Sequence, residues 1–324
     1  MGKAKDTRTF TFYFENDTFF GTDSLYINGV KLSFISSDLT DYRNNAAIPK
    51  WSYPLIERLP FVNEPGFQRS LSLSIGQNMY TPEDTDSSDL VKDDRQYAGV
   101  AFISIGLNSK SERRMDTLEL GFGIVGPHSY AEDTQRIVHE WKGIDVPQGW
   151  DHQLKDEPIL NVFVERRWKF AQADGVDGLG YDVIPNMGAG LGNALLNAHI
   201  GTQVRFGWNL PNDFGTNLIR PGSDTNAPID ETDPRFFSPH HRFGVHVLAG
   251  ADGQLVLRNI TLDGNTFRQS HSVDKEPLVA SLMAGVGIII YRFKITFAHV
   301  FKTKEFKTQR DEEEYGSITI SYAF

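Results

Sequence analysis

Hydrophobic and polar residues alternate with a period of two through much of the chain. The alternation is clearest in seven segments: Phe10–Phe14, Val30–Phe34, Leu71–Ile75, Leu118–Ile124, Leu160–Val164, Phe243–Val247 and Phe293–Phe297. A strand with this pattern has one apolar and one polar face. The polar positions combine Gly, Ser and Thr with charged residues, as the interior of a transmembrane β-barrel requires.

The spacing of these segments predicts about a dozen antiparallel strands. We place them near residues 8–15, 25–36, 69–79, 95–107, 114–125, 158–170, 178–192, 197–208, 241–251, 278–290, 291–302 and 315–324. The last strand ends on an aromatic residue, Phe324, on the same face as Ile318 and Ile320. A C-terminal aromatic strand is typical of bacterial outer-membrane barrels. Aromatic residues near the predicted strand ends are candidates for interfacial girdles: Phe19, Phe20, Tyr97, Trp168, Trp208 and Tyr291.

Two folds share this alternation, and they differ in where the apolar face points. A soluble β-sandwich buries it between two sheets, whereas a transmembrane barrel turns it outward to lipid. The polar character of the opposite face and the C-terminal strand favour the barrel. We therefore predict an all-β fold in which residues 1–324 form a single outer-membrane β-barrel domain.

Composition and charge exclude several classes of function. The net charge of −10 and the pI near 5.4 argue against a non-specific nucleic-acid binder. The chain has no cysteine, so disulfides, thiolate metal sites and a cysteine nucleophile are excluded. The longest apolar run, Ala284–Tyr291, is far too short for a membrane-spanning helix. The residues Met1–Asp6 contain no apolar core, so we expect a mature chain without a secretory signal.

Four long connections interrupt the predicted strands, at 37–68, 126–157, 209–240 and 252–277. The 209–240 connection is rich in Pro, Asn, Asp and Gly and is expected to be an irregular extracellular loop.

The 126–157 connection differs because it contains a predicted short helix. Ala131–Lys142 has no Gly or Pro, and Gly143 supplies a residue suited to end the helix. Its residues at helical spacing are expected to pack against the barrel: Thr134, Ile137, Val138 and Trp141.

A polar pair, Asn16 and Asp17, ends the first predicted strand. Asn16 shares its parity with Phe12 and Phe14, so an amide lies on the face that should contact lipid. Such a residue is costly inside a bilayer but acceptable at the rim, beside another element. The alternative is that the pair only opens a turn.

The segment Asp23–Gly29 leads into the second predicted strand and would lie beside this pair, across a loop. It is a second candidate for residues with a chemical role. The alternative is that it contains only an interfacial Tyr and a Gly that packs.

His139 lies on the predicted helix and could act as a general base if the helix covers the barrel rim. The alternative is a packed or solvated histidine without a chemical role. The other histidines show no spacing typical of metal ligands, and the adjacent pair His240 and His241 is expected in a loop. The sequence contains no G-x-S-x-G, phosphate-binding or H-E-x-x-H motif.

Taken together, these short motifs resemble the outer-membrane lipid A 3′-O-deacylase (LpxR) family. The matching residues are Phe14–Asp17, Asp23, Tyr26, Asn28–Gly29, Gly76–Gln77, Tyr80–Asp84, Asp94–Arg95, Gly126–Pro127, Gln135, His139, Gly143 and Pro147–Gln153. They follow the same order over nearly the whole chain. The resemblance implies a twelve-stranded barrel of the outer membrane, with a site between the outer wall and a helix from an extracellular loop.

The resemblance also implies Ca²⁺-dependent hydrolysis of an acyl ester of lipid A. Carried over by position, His139 would be the general base and Asn16 a further donor. Asp17 and Asp145 would bind Ca²⁺, which prefers oxygen ligands. We expect lipid A as substrate, no nucleic-acid partner and a monomer.

Two positions depart from the family pattern. The family's hydroxyl residue after the Tyr of the second strand is Ile27 here, and a loop lysine has no counterpart within the acidic segment Glu83–Leu90. These departures leave an alternative open: a catalytically inactive barrel of the same family with a surface binding or structural role.

Overall fold

The protein forms one closed antiparallel sheet. The computed structural model describes residues 6–17, 25–40, 43, 49–58, 64–173, 178–220, 224–236 and 243–324. The strands are β1 (Thr9–Asn16), β2 (Leu25–Ile35), β3 (Gln68–Thr81), β4 (Ala98–Lys110), β5 (Arg114–Val125), β6 (Glu157–Trp168), β7 (Phe170–Ala173), β8 (Leu179–Gly192), β9 (Leu195–Trp208), β10 (Phe243–Asn259), β11 (Leu278–Ile290), β12 (Phe293–Lys302) and β13 (Glu313–Ala323).

The barrel has twelve strands because β6 and β7 are two parts of one strand. Both pair with β8, and Lys169 alone separates them. Every other strand pairs with its neighbour in the chain, and β1 pairs with β13 to close the sheet. The predicted twelve-stranded antiparallel barrel is confirmed.

The alternation of residues separates an outer apolar wall from a polar lumen. On β3, Leu73 is 52% exposed, whereas the flanking Ser72 and Ser74 are buried in the lumen. Lys31 and Glu15 also point inward and are buried. The exposed apolar rows exclude the soluble sandwich, which would bury them between two sheets.

One predicted strand boundary was wrong. The strand predicted at 241–251 extends to Asn259, because residues 252–254 continue to pair with β9. Its polar Asp252 and Gln254 take part in this pairing, so the connection begins at residue 260 rather than 252. A one-turn helix, α3 (Ile260–Asp263), follows the strand directly.

The connection between β9 and β10 does not lie where the sequence suggested. Strand pairing places Thr9, Ala323 and Phe293 at one end of the barrel, and Phe243 at that same end. Residues 209–242 therefore leave from the end that carries the chain termini. The helix predicted at 131–142 follows β5 at the opposite end. Both this connection and the helix-bearing one were predicted to be extracellular; because they leave opposite ends of the barrel, the prediction of 209–240 as an extracellular loop was wrong.

The described part of this connection, residues 209–220 and 224–236, lies inside the lumen and is here called the plug. Its acidic residues explain the location, because they pair with basic side chains that the strands direct inward. Asp224 accepts hydrogen bonds from Tyr13 and Ser74 and lies 3.1 Å from Lys31. Further along, the backbone N–H of Ile219 donates to Glu15 at 2.6 Å. A loop rich in Asp and Asn thus supplies hydrogen-bond and ion-pair partners to the polar side chains of the lumen.

The other helices are a one-turn helix, α1 (Tyr53–Ile56), and α2 (Ala131–Lys142). Among the described residues, no helix has the length and apolar character needed to cross a membrane.

Candidate active site

The predicted helix is present with the predicted bounds. The helix α2 begins after Tyr130 and ends at Gly143, whose φ of 68° is the left-handed conformation that glycine adopts most readily. The N–H groups of Gly143 and Ile144 donate to the carbonyls of Glu140 and His139, which completes the C-cap. The predicted bounds of the helix, and the role of Gly143 at its end, were therefore correct.

The face of α2 that packs on the barrel differs from the predicted one. Its buried residues are Ala131, Gln135 and His139, one turn apart. Ile137 is 61% exposed and Trp141 is 83% exposed, so the prediction that they pack against the barrel was wrong. Apolar spacing alone does not predict this face, because the face is decided by the contacts that Ala131 and Gln135 make with residues outside the helix.

Gly99 on the outer face of β4 is the contact that seats α2. A Cβ atom at this position would lie 2.1 Å from Oγ of Ser129 and 2.4 Å from Cβ of Ala131. Only glycine allows the start of the helix to approach the wall so closely. Gly99 was not among the predicted site residues, although it lies on the same outward face of β4 as Ile103 and Ile105, where an apolar side chain would be expected.

A buried cluster holds the segment after α2 against the same wall. Tyr97 and Trp150 pack with Met79 and Ala131, and the rings of Tyr97 and Trp150 lie 4.9 Å apart. The indole N–H of Trp150 donates to Oε1 of Gln135 at 2.7 Å. Tyr97, predicted as a girdle aromatic, is instead buried beneath the helix.

His139 is 5% exposed and is oriented by the backbone that follows the helix. Its Nδ1 lies 2.6 Å from the carbonyl oxygen of Asp145. A carbonyl only accepts, so Nδ1 carries the proton and the lone pair of the neutral ring is on Nε2. Asp145 thus contributes its main chain to His139, while its side chain is exposed.

Asn16 and Asp17 lie at the same end of the barrel as α2 and are almost completely buried, at 5% and 0% exposure. Asn16 pairs with Asn28 of β2, and Asn28 pairs with Met79 of β3, which in turn pairs with Gly99. These residues form one row across the outer face, as the parity of Asn16 predicted. The row spans three strand spacings of about 4.8 Å each from Asn16 to the seat of α2.

We call this region the outer notch: it comprises Asn16, Asn28 and Thr81 on the wall beside α2, together with Asp17, which directly follows Asn16 in the chain. The structure pairs Asn16 with Asn28, and it joins His139 to Asp145. That the imidazole of His139 acts on the same ester as Asn16 and Asp17 stays a prediction.

The second sequence cluster is only partly described. Asp23 lies outside the described residues, as do the side chains of Tyr26 and Ile27. The backbone register shifts between Tyr26 and Asn28, so Ile27 is the extra residue of a β-bulge next to the outer notch. His128 pairs with Asp156 at the surface, and the pair His240 and His241 lies outside the described residues.

The side-chain oxygen atoms of the outer notch are of the kind that a hard cation prefers as ligands. Asp17 supplies a buried carboxylate. Oδ1 of Asn28 and Oγ1 of Thr81 are buried and accept no hydrogen bond from the described part of the chain. Ca²⁺ is bound by carboxylate, carbonyl and amide oxygens. Within the described ranges, no group of three or more His, Asp or Glu residues clusters as a metal site, so Ca²⁺ binding by Asp17 and Asp145 stays a prediction.

Comparisons with known proteins agree with this architecture. The family model described as "Outer membrane protein LpxR" matches residues 2–324. The solved structure of LpxR from Salmonella typhimurium is similar, with a TM-score of 0.74 and 19% identity over 97% of this chain and 99% of that chain. The β-domain of the Bordetella autotransporter BrkA has a TM-score of 0.41 and 8% identity, covering 98% of this chain and 97% of that chain. No curated protein matches the sequence. The chain therefore belongs to the LpxR family of outer membrane proteins.

Proposed function

We propose that this protein is a Ca²⁺-dependent ester hydrolase that removes the 3′-acyloxyacyl chain from lipid A, with His139 as the general base. The observation that carries the proposal is the hydrogen bond between Nδ1 of His139 and the carbonyl of Asp145. It fixes the ring orientation and tautomer of a buried histidine on the helix that covers the outer wall. The family membership and the place of the outer notch, on the lipid-facing side, support the choice of a lipid substrate.

In the proposed reaction, Nε2 of His139 takes a proton from a water molecule as the water attacks the ester carbonyl. The bond between the acyl carbon and the sugar oxygen then breaks. The proton held on His139 passes to the departing sugar hydroxyl, and the acyl chain leaves as a free acid. A general base of this kind contributes about 10²–10⁴-fold to the rate.

The wall residues would bind and orient the ester. Asp17, with the side-chain oxygens of Asn28 and Thr81 and the carboxylate of Asp145, would hold Ca²⁺. When bound, Ca²⁺ would polarise the ester carbonyl and stabilise the negative charge that develops on its oxygen. The amide of Asn16 would donate a further hydrogen bond at the same place.

The activity is tested by measuring fatty-acid release from lipid A by the purified protein in detergent. We expect release in the presence of Ca²⁺, none after chelation with EDTA, and a loss of about 10²–10⁴-fold in His139→Ala. His128→Ala is the matched control, because His128 lies at the surface with Asp156 and should leave the rate unchanged. Release that persists unchanged in His139→Ala would contradict the assigned base.

The alternative, an inactive barrel with a surface binding or structural role, is favoured by Ile27 and by the acidic segment Glu83–Leu90. Ile27 occupies the bulge where the family has a hydroxyl residue. If the wild-type protein is inactive because this hydroxyl is missing, Ile27→Thr should restore hydrolysis. Absence of activity in both proteins would favour the binding role.

A further inference from the structure

The outer surface of α2 is divided into two flanks of opposite character. A residue advances by about 100° around the helix. Ile137 and Trp141 therefore fall on one side of the buried stripe formed by Ala131, Gln135 and His139. The other side consists of charged residues: Glu132, Arg136 and Glu140.

The apolar flank is exposed in the structure of the protein alone. Ile137 and Trp141 are 61% and 83% exposed, and Ile144, just beyond the C-cap, is also exposed. Single exposed apolar residues are common, but three large ones at one end of a short helix form a patch that requires an explanation.

The position of α2 on the barrel identifies what lies beside this patch. The helix contacts the outer face at Gly99. Four residues further along β4 toward the other end of the barrel, Ile103 is exposed on the lipid-facing wall, as is Ile75 on β3. The helix therefore packs on the lipid-facing side of the barrel, and its apolar flank points away from the wall into the surroundings of the barrel. A helix with one apolar and one charged flank lies in a membrane interface with its apolar side in the acyl chains.

We propose that Ile137, Trp141 and Ile144 insert into the outer leaflet of the membrane, so that α2 is an interfacial helix held between the barrel wall and the lipid. Its buried stripe carries His139 toward the wall, and its apolar flank contacts acyl chains. The charged flank with Arg136 faces water. For the proposed function, this arrangement would place His139 at the depth of the acyl esters of lipid A.

The chain offers a direct test because it contains no cysteine. Ile137→Cys and Arg136→Cys introduce single labelling sites on the two flanks, about 100° apart around the helix. Each variant is labelled with a nitroxide, folded into dioleoylphosphatidylcholine vesicles, and studied by EPR power saturation with oxygen and with a nickel chelate. We expect the label at 137 to be more accessible to oxygen and the label at 136 to be more accessible to nickel.

Equal nickel accessibility at both positions would overturn the proposal, as would equal oxygen accessibility. Folding is checked by the shift in electrophoretic mobility between unheated and heated samples. If Ile137→Cys fails this check, Trp141→Cys on the same flank replaces it. The readout does not require hydrolysis. A positive EPR result in a protein that releases no fatty acid would therefore support membrane insertion and contradict the proposed function.

Discussion

The plug and the outer notch are both polar regions where a loop packs on the barrel strands, and individual buried side chains in them are hydrogen-bonded to different extents. In the plug, both carboxylate oxygens of Asp213 are fully bonded. They accept from Arg205 at 2.6 Å, Lys294 at 2.6 Å, Arg235 at 3.1 Å and the N–H of Gly215 at 3.1 Å. The plug is therefore built as a permanent part of the fold.

In and around the outer notch, several buried polar atoms have no hydrogen-bond partner among the described residues. They are Oδ1 of Asn28, Oγ1 of Thr81, Oγ of Ser129 and Nε2 of Gln135. An unsatisfied buried polar group costs about 1–3 kcal/mol, so a cluster of them is retained where a ligand completes the bonding. Oδ1 of Asn226 in the plug is also buried without a hydrogen-bond partner among the described residues, so the contrast is between Asp213 and the notch rather than between the whole lumen and the outer wall. Asp213 is fully bonded within the fold, whereas Asn28 and Thr81 retain oxygens that are unpaired within the described part of the chain.

The largest expected effect is on the stability of the plug. Asp213→Asn removes the charge that three buried cations share, and Lys294 keeps the carbonyl of Gly215 as its acceptor. Removing one partner of a buried ion pair lowers the free energy of unfolding by about 3–5 kcal/mol, because the other charge is left buried and unpaired. We expect the free energy of unfolding, measured with urea in detergent, to fall by this amount.

The control for this variant is Asp274→Asn, because the pair between Asp274 and Lys307 is exposed and should contribute little. The rate of fatty-acid release by the folded fraction of Asp213→Asn should equal that of the wild type. An equal loss of stability in both variants would show that the plug is not the stabilising region we describe.

The next effect concerns the seat of α2. In Gly99→Ala, the new methyl group would overlap Ser129 and Ala131 and displace the helix from the wall. A displacement of about 1 Å at a catalytic group can cost up to about 10²-fold in rate. We expect fatty-acid release to fall by about tenfold to a hundredfold while the free energy of unfolding changes little.

Gly121→Ala is the matched control on the neighbouring strand β5. A Cβ atom there would meet its nearest atom at 3.8 Å, an ordinary contact. If both alanine variants lose activity equally, the loss does not come from the position of α2.

The sequence predicted the barrel and α2 well because both depend on local signals. Alternation defines the two faces of each strand, and Gly143 marks the end of the helix.

The packing face of α2 was not predictable in this way, because it depends on a non-local contact with Gly99. The location of the plug was also missed, since the pairing of Asp213 with Lys294 links residues that are 81 positions apart in the chain. At the site, parity placed Asn16 on the outer face, but the bond from His139 to the carbonyl of Asp145 involves the backbone and leaves no signal in residue types.

The smallest expected effect is a difference in pH dependence between the two regions. Burial raises the pKa of Tyr97, beneath α2, to about 12 from its ordinary value of 10. The folded protein therefore favours the neutral phenol. The resulting contribution to stability is present below pH 10 and is lost as the pH rises from 10 toward 12.

We expect the free energy of unfolding of the wild type to fall more steeply between pH 10 and pH 12 than that of Tyr97→Phe, which has no phenol to ionise. The difference between the two proteins isolates Tyr97 from the other tyrosines. Parallel curves would contradict this assignment. Because the ring of Tyr97 packs on Trp150, a steeper curve in the wild type would show that ionisation of Tyr97 weakens the contacts that hold the segment after α2.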